Sequence, residues 1–440
     1  MRAGNLAAFA LGSCFIAPSA YASDQTGSSN DWSVQGQFTN IWQYNPAFAS
    51  AFEGAQSFDQ NNRVAETTDA TLYAGASLWS GAEAWINPEL NQGIALGNTL
   101  GVAGYINGDG SKEGKKHPYL RIQRLFLRQT IDLGDESKDA EPTENQLAKS
   151  VALDRLVLTL GKFDVTDIFD TNTLAHDGRT DFLNWALIDT GSFDYASDAW
   201  GYTMGGSVEW YQGDWVARLG VFDLSTEPNG ATLTPSLRQF QTDGELEKHY
   251  KVAGQGGKIA ITAFLNRGEM GSFADALQLA NSTGEIPNTA FVRKYASRAG
   301  VSLNAEQTLM DSISAFVRAG WDDSSKEPYE YTDIDRTLAL GTQIKGDLWS
   351  RSRDELGLAV VENWIGKEHT IYLAQGGLGV LIGDGALPRP APEQIVEAYY
   401  SLGITKEVHF TLDVQFVNSP AYNHDRGPIE VIGSRIHIEV

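Results

Sequence analysis

Cysteine occurs once among the 440 residues, at Cys14, and positive charge is scarce: 33 Lys and Arg stand against 56 Asp and Glu, for a formal net charge of −23. One cysteine rules out an intrachain disulfide framework and a zinc site built on cysteines, so stability has to come from packing and backbone pairing. The acidic balance argues against nucleic acid as a partner, because such proteins need a basic surface to displace counterions from phosphates. Proline is sparse at 14 and glycine reaches 45, without a collagen-like or low-complexity period. Long apolar runs are missing too. After residue 22 no stretch approaches the ~20 consecutive apolar residues of a membrane helix, which excludes helical spanning. A membrane barrel stays open, since each of its strands needs only about 10 residues of alternating polarity.

The chain begins with Met1-Arg2, an apolar stretch from Leu6 to Ala17, and small residues at Ala20-Tyr21-Ala22. That is the pattern of a secretory signal peptide over 1–22, whose removal takes Cys14 with it. Leu11-Gly12-Ser13-Cys14 has the look of a lipoprotein processing site, but the apolar run before it, Leu6 to Leu11, is short for an h-region. A short polar segment, 23–30, then leads into one continuous body, 31–440.

That body is dominated by period-two alternation. Trp32, Val34, Gly36, Phe38, Trp42 and Tyr44 share one face, and Ser33, Gln35, Gln37, Thr39 and Gln43 share the other. Trp200, Tyr202, Met204, Val208 and Trp210 oppose Thr203, Ser207 and Glu209, and Trp215, Ala217, Leu219 and Val221 oppose Arg218. The beat returns at Ile313 to Trp321 around Arg318, at Val408 to Phe416 around Asp413 and Gln415, and at Ile432 to Val440 around Arg435. A soluble β-sandwich also alternates, with its apolar face turned inward. Here Trp32, Tyr44, Trp200, Trp210, Trp215 and Trp321 sit at the ends of apolar rows, as interfacial girdles do, and the polar rows carry Gln, Glu and Arg suited to a wet lumen. The expected fold is therefore all-β: a closed antiparallel transmembrane barrel whose last strand pairs with its first. Between 119 and 133 the phase slips, from Leu120 and Ile122 to Leu125, Leu127, Ile131 and Leu133, which predicts a bulge and turns Arg124 and Arg128 to the lumen.

Short links such as Gly213-Asp214 read as tight turns, while 134–150, 224–256, 268–297 and 322–335 read as long polar loops. The segment 164–198 is too apolar for a loop in water: Ile168, Phe169, Phe182, Leu183, Trp185, Leu187, Ile188, Phe193 and Tyr195 must pack against something. Folding into the lumen is preferred over capping the mouth, with Asp181, Phe182 and Trp185 as constriction candidates and a short helix starting near Thr180-Asp181.

These residues carry a family resemblance. Leu160-Gly161-Lys162-Phe163-Asp164-Val165-Thr166-Asp167-Ile168-Phe169-Asp170, then His176-Asp177-Gly178-Arg179-Thr180-Asp181-Phe182-Leu183-Asn184-Trp185-Ala186, then Phe193-Asp194-Tyr195-Ala196, resemble the carbohydrate-selective porin (OprB) family. Asn304-Ala305-Glu306-Gln307, Asp333-Ile334-Asp335, Ile382-Gly383-Asp384-Gly385, Glu397-Ala398-Tyr399-Tyr400 and Asn423-His424-Asp425-Arg426-Gly427-Pro428 are similar to its later motifs, in the same order. The resemblance runs from about residue 31 to the end, with no coiled-coil or cell-wall-binding extension expected before it. It implies an outer-membrane barrel of about 16 strands that passes sugars to the periplasm, among lipid and lipopolysaccharide, after insertion by the barrel-assembly machinery. Val440 stands where outer-membrane barrels commonly end in an aromatic, so that machinery would read the row Ile436, Ile438 and Val440. A homo-oligomer is compatible with this architecture.

The alternatives are a secreted carbohydrate-binding β-protein and a glycosidase working with two carboxylates. With 56 acids, paired carboxylates such as Asp164, Asp167 and Asp170 arise by chance, no Gly-x-Ser-x-Gly elbow is present, and the seven His residues lack zinc-ligand spacing. No enzyme activity, cofactor or metal is expected. Alternation nominates Arg124, Arg128, Glu209, Arg218, Arg318, Glu397, Tyr399, Gln415 and Arg435 as lumen residues that could contact solute. The arginines among them point to a mild anion preference, since local lumen charge outweighs screened loop charge.

Overall fold

The computed structural model describes residues 31–110 and 114–440, so the expected signal peptide and polar lead lie outside the described residues. The strands are β1 (Trp32–Asn45), β2 (Arg63–Trp79), β3 (Ala82–Ile94), β4 (Lys115–Asp132), β5 (Ser137–Ala140), β6 (Lys149–Ala152), β7 (Arg155–Phe163), β8 (Thr203–Gln212) and β9 (Trp215–Asp223). They continue with β10 (Phe240–Val252), β11 (Gln255–Met270), β12 (Lys294–Met310), β13 (Ile313–Asp322), β14 (Arg336–Lys345), β15 (Glu355–Trp364), β16 (Glu393–Gly403), β17 (Val408–Asn418) and β18 (Ile429–Glu439). All but β5 and β6, which form a separate hairpin, join one closed antiparallel barrel of 16 strands. Closure is between β1 and β18, in register from Gln37↔Glu439 to Tyr44↔Ile432, and Gly36 and Val440 exchange backbone hydrogen bonds of 2.8 Å at the end of the seam.

The burial pattern inverts that of a soluble sandwich. On β1 the apolar row faces out, with Trp32 67% and Trp42 49% exposed, while Gln37, Thr39 and Gln43 are buried inside. A surface of Leu, Val, Ile and Trp around the whole barrel is stable only against lipid. The interior is filled instead by polar side chains and by the loops they bind. On the inner wall, rings lie flat over directly paired glycines: a Cβ on Gly75 would fall 2.4 Å from the Trp85 ring, and one on Gly357 2.1 Å from the Tyr399 ring.

The slip expected in β4 is a bulge. Asn87 pairs with Arg124 and Pro88 with Ile122, so Gln123 is extra and both Gln123 and Arg124 turn inward. Pro88 lacks the N–H that an unbroken ladder would require, which suits the bulge.

Tight links at 80–81, 213–214, 253–254 and 311–312 share one end of the barrel with the β1 start and the β18 end; the long loops, including 164–202, share the other. Three expectations are corrected here. The segment 134–150 lies at the tight-turn end, where 137–140 and 149–152 pair as the β5–β6 hairpin. Residues 240–252 are strand β10 rather than loop. Trp200 and Tyr202 precede β8 and leave its lipid row, which runs through Met204 and Trp210.

Candidate pore constriction and solute pathway

The loop 164–202 folds into the lumen and is bound by inward side chains of the strands opposite β2 to β9. It opens with a capped turn at Val165–Asp167, where the Asp164 carboxylate accepts from the Thr166 N–H at 3.0 Å. The helix α1 (Trp185–Ile188) is capped by Asn184, whose side chain accepts from the Ala186 N–H at 3.1 Å. The helix thus starts four residues after Asp181, whose carboxylate accepts from the His176 and Asp177 N–H groups at 2.9 and 3.2 Å.

The charged wall residues answer backbone groups that would otherwise be buried without a partner. Glu397 accepts from the N–H groups of Leu183 (2.5 Å) and Asn184 (2.9 Å). Arg435 donates to the carbonyls of Gly178 (2.7 Å), Asp181 (2.9 Å) and Thr180 (2.6 Å). Arg318 donates to the Leu187 carbonyl and, at 3.3 Å, to that of Asp170. Gln415 accepts from Asn184 Nδ2 at 3.2 Å, and the Phe182 ring meets Tyr399 edge-on with centroids 4.9 Å apart. Arg318, Glu397, Tyr399, Gln415, Arg435, Asp181 and Phe182 are therefore inside the barrel, as alternation and aromatic content indicated. They hold the loop, however, and none of them lies on the wall of the open cavity.

That cavity, about 580 Å³, runs along the inner faces of β2, β3, β4, β7, β8 and β9 beside the loop. Arg124, Arg128, Glu209, Arg218 and Trp185 line it. Arg124 Nε donates to Asp167 at 2.7 Å, and its guanidinium lies 4.9 Å from the centre of the Tyr202 ring. Burial pushes the Asp167 carboxyl up, yet the Arg124 charge beside it wins and holds it below the usual carboxylate range. Arg218 bonds Glu209 (3.1 Å), Glu245 (2.5 Å) and Glu247 (3.0 Å). Trp185 stacks on Tyr105 at 5.2 Å and 10°, and Tyr331 stands edge-on to it at 5.8 Å.

Several lining groups are not ones that alternation turns to the lumen, and Trp200 is one that it sets on the lipid row. Trp200 donates its indole N–H to Tyr119 at 2.9 Å under the Arg121 guanidinium, which sits 3.4 Å from its ring centre. Arg179 chelates Asp177 (2.5 Å) and donates to the Tyr73 hydroxyl at 2.6 Å. The β5–β6 hairpin reaches the cavity from the tight-turn end: Glu144 stands 3.6 Å from Arg179, Asn145 accepts from Arg128 at 2.7 Å, and Lys149 pairs with Glu83. Arg179 sits within the quoted motif 176–186, which was its only signal; the hairpin is polar and gave none.

The arginine excess behind the expected anion preference is not there. Among the described residues ten carboxyl groups line the cavity against six Lys and Arg, and those cations are matched by acids or, for Arg155, by the Tyr211 ring and two carbonyls. The expectation is corrected: the lining is net acidic.

A family model described as "Carbohydrate-selective porin, OprB family" matches residues 55–439. The chain belongs to that family. It is similar to the high pH structure of Pseudomonas putida OprB, with a TM-score of 0.71, 15% identity, and coverage of 93% of this chain and 94% of that one. The outer membrane channel DcaP of Acinetobacter baumannii follows with a TM-score of 0.51, 11% identity, and coverage of 93% and 97%. A search of curated proteins returns no match. The porin is a channel of the Gram-negative outer membrane for the passive, carbohydrate-selective diffusion of sugars.

Proposed function

We propose that sugars cross this porin through the corridor between the inserted loop and the β2 to β9 wall, and that Arg124, Arg128, Glu209, Arg218 and Trp185 contact them on the way. The lining carries the reading: guanidinium–carboxylate pairs such as Arg124 with Asp167 stand beside the rings of Trp185, Trp200 and Tyr202 in one cavity. Such pairs offer donors and acceptors to hydroxyl groups, and rings offer a flat face to the C–H side of a sugar. Contacts of this kind are weak and sequential, so a solute enters and leaves by diffusion alone. This reading requires no bond to be broken: Asp167, Asp177 and Glu209 on the cavity wall are tied to Arg124, Arg179 and Arg218, and the chain is read as a channel.

In the same reading 1–22 is the signal peptide, 23–30 a short polar lead, and 31–440 the barrel, whose last apolar row addresses the assembly machinery. Lipopolysaccharide is its outer-leaflet neighbour. Arg267 supports this, standing at the long-loop end of β11 with its guanidinium 4.3 Å from the centre of the Tyr295 ring, as does exposed Arg238 just before β10, whose carbonyl accepts from the Tyr295 hydroxyl, as charges for lipid phosphates at an aromatic girdle. Liposomes carrying the purified barrel should swell in glucose, and added sugar should block single-channel current. A channel that conducts salt but neither swells liposomes nor is blocked by any sugar would overturn the reading.

A further inference from the structure

We infer that the pore favours sugars carrying a protonated amine, hexosamines with a free ammonium, over neutral and acidic sugars; this deepens the sugar-channel reading above and rests on it. Asp69 on β2 and Glu89 on β3 line the cavity, and among the described residues neither has a Lys or Arg in ion-pair contact. Their partners are neutral donors. Gln37 Nε2 donates to Asp69 Oδ2 at 2.8 Å, and Thr71 Oγ1 to Glu89 Oε2 at 2.8 Å. Asn91 and Gln123 amides donate to Glu89 Oε1 at 2.9 and 3.0 Å.

A second observation points the same way. Gln123 is 1% and Asp69 6% exposed, both lie on the cavity wall, and each keeps an acceptor, Oε1 and Oδ1, with no donor among the described residues. Buried acceptors are ordinarily satisfied, so such a pair marks a place where a donor is wanted. Gln123 arrives there only because of the β4 bulge, which puts it next to Arg124 on the inner wall. The strip from Asp69 to Gln123 thus has spare acceptors and two carboxyl groups with no cation in contact, Arg179 acting on Asp69 only from beyond ion-pair distance, while Arg124 with Asp167 beside it supplies mixed donors and acceptors. An ammonium is the complement of the first, with three donors, a charge and no acceptor. Sugar hydroxyls suit the second.

The test uses the wild-type barrel in planar bilayers, with glucose, N-acetylglucosamine, glucosamine and glucuronate as probes. In a KCl gradient the reversal potential should show K⁺ preferred over Cl⁻, and glucosamine should block at about tenfold lower concentration than glucose or N-acetylglucosamine, with glucuronate weakest. Asp69→Asn together with Glu89→Gln should bring the glucosamine-to-glucose ratio down to about one. Should that pair fail to assemble, Asp69→Asn alone should lower the ratio. Equal block by glucosamine and glucose in the wild type, or an unchanged ratio in an assembled variant, overturns the proposal while leaving a sugar channel standing. Absence of block by all four probes removes the sugar-channel reading and this one with it.

Discussion

Arg124 stands between the Asp167 carboxylate and the Tyr202 ring, so its loss would do more than remove a contact for solute. Arg124 is buried while Asp167 opens to the lumen, so truncating the arginine leaves that carboxylate facing solute without its partner. Arg124→Ala with Arg128→Ala should therefore bare Asp167 to the lumen and leave Glu83 with Lys149 alone, shift the reversal potential further toward cations and weaken sugar block. Unchanged reversal potential and block would make both arginines structural. Protonation acts in the opposite sense. Burial pushes the carboxyl of Asp189, in the loop, up to about 7 against the opposing charge of Arg318, and that of Asp109 to about 6. A carboxyl raised in the fold is held there more stably when neutral, so the contribution of Asp189 to loop docking is complete below the ordinary carboxyl value of about 4 and is lost as the pH rises through about 7, and that of Asp109 to its own segment between β3 and β4 is lost through about 6. Both line the cavity, so lowering the pH from about 8 to about 5 should reduce the cation preference with a midpoint between about 6 and 7. Asp189→Asn should remove the upper part of that titration; a reversal potential flat across the range would count against it. Alternation in the sequence correctly turned these wall residues inward. It could not separate Arg124, on the open cavity, from Arg318, behind the loop, because a period of two states which face of the sheet a side chain occupies and not what covers that face.

The inserted loop is held through its backbone by Glu397, Arg435 and Arg318 and through its side chains at Asp194, which binds Arg298 and Asn266, and at Asn172, which binds Asn304. Replacing 180–190 by a short Gly/Ser link should raise single-channel conductance in a barrel that still folds. Arg435→Ala, which removes donors from three carbonyls while leaving β18 intact, should give a partial and noisier increase as the loop undocks. Conductance equal to wild type in both variants would mean that the narrow point lies at the β5–β6 hairpin. This loop was legible because a run with Phe182, Trp185, Phe193 and Tyr195 cannot remain in water. The hairpin was not, since 134–150 is largely polar, with Leu147 its one large apolar residue, and its end of the barrel follows only from counting strands. The same blindness hid Trp200, whose alternation continued that of β8 although the strand starts at Thr203.

Across the whole molecule the decisive constraint is closure. A strand edge in hydrocarbon leaves N–H and C=O groups with neither water nor a partner, each costing several kcal/mol, so β1 and β18 are needed by each other more than by the lumen. Their register runs over eight residue pairs from Gln37↔Glu439 to Tyr44↔Ile432. Removing 429–440 deletes that seam and also opens the far edge of β17, which pairs with β18 from Val408↔Ile438 to Val417↔Ile429. It takes Arg435 away as well, so the inserted loop loses three of its backbone acceptor contacts in the same cut. The truncated chain should not accumulate as a heat-modifiable barrel in the outer membrane, whereas Arg435→Ala should assemble and differ only in conductance. Comparing the two by gel mobility with and without heating separates seam from anchor. A truncated chain that still folded and migrated as a barrel would show that fifteen strands can close, and the closure argument would fall.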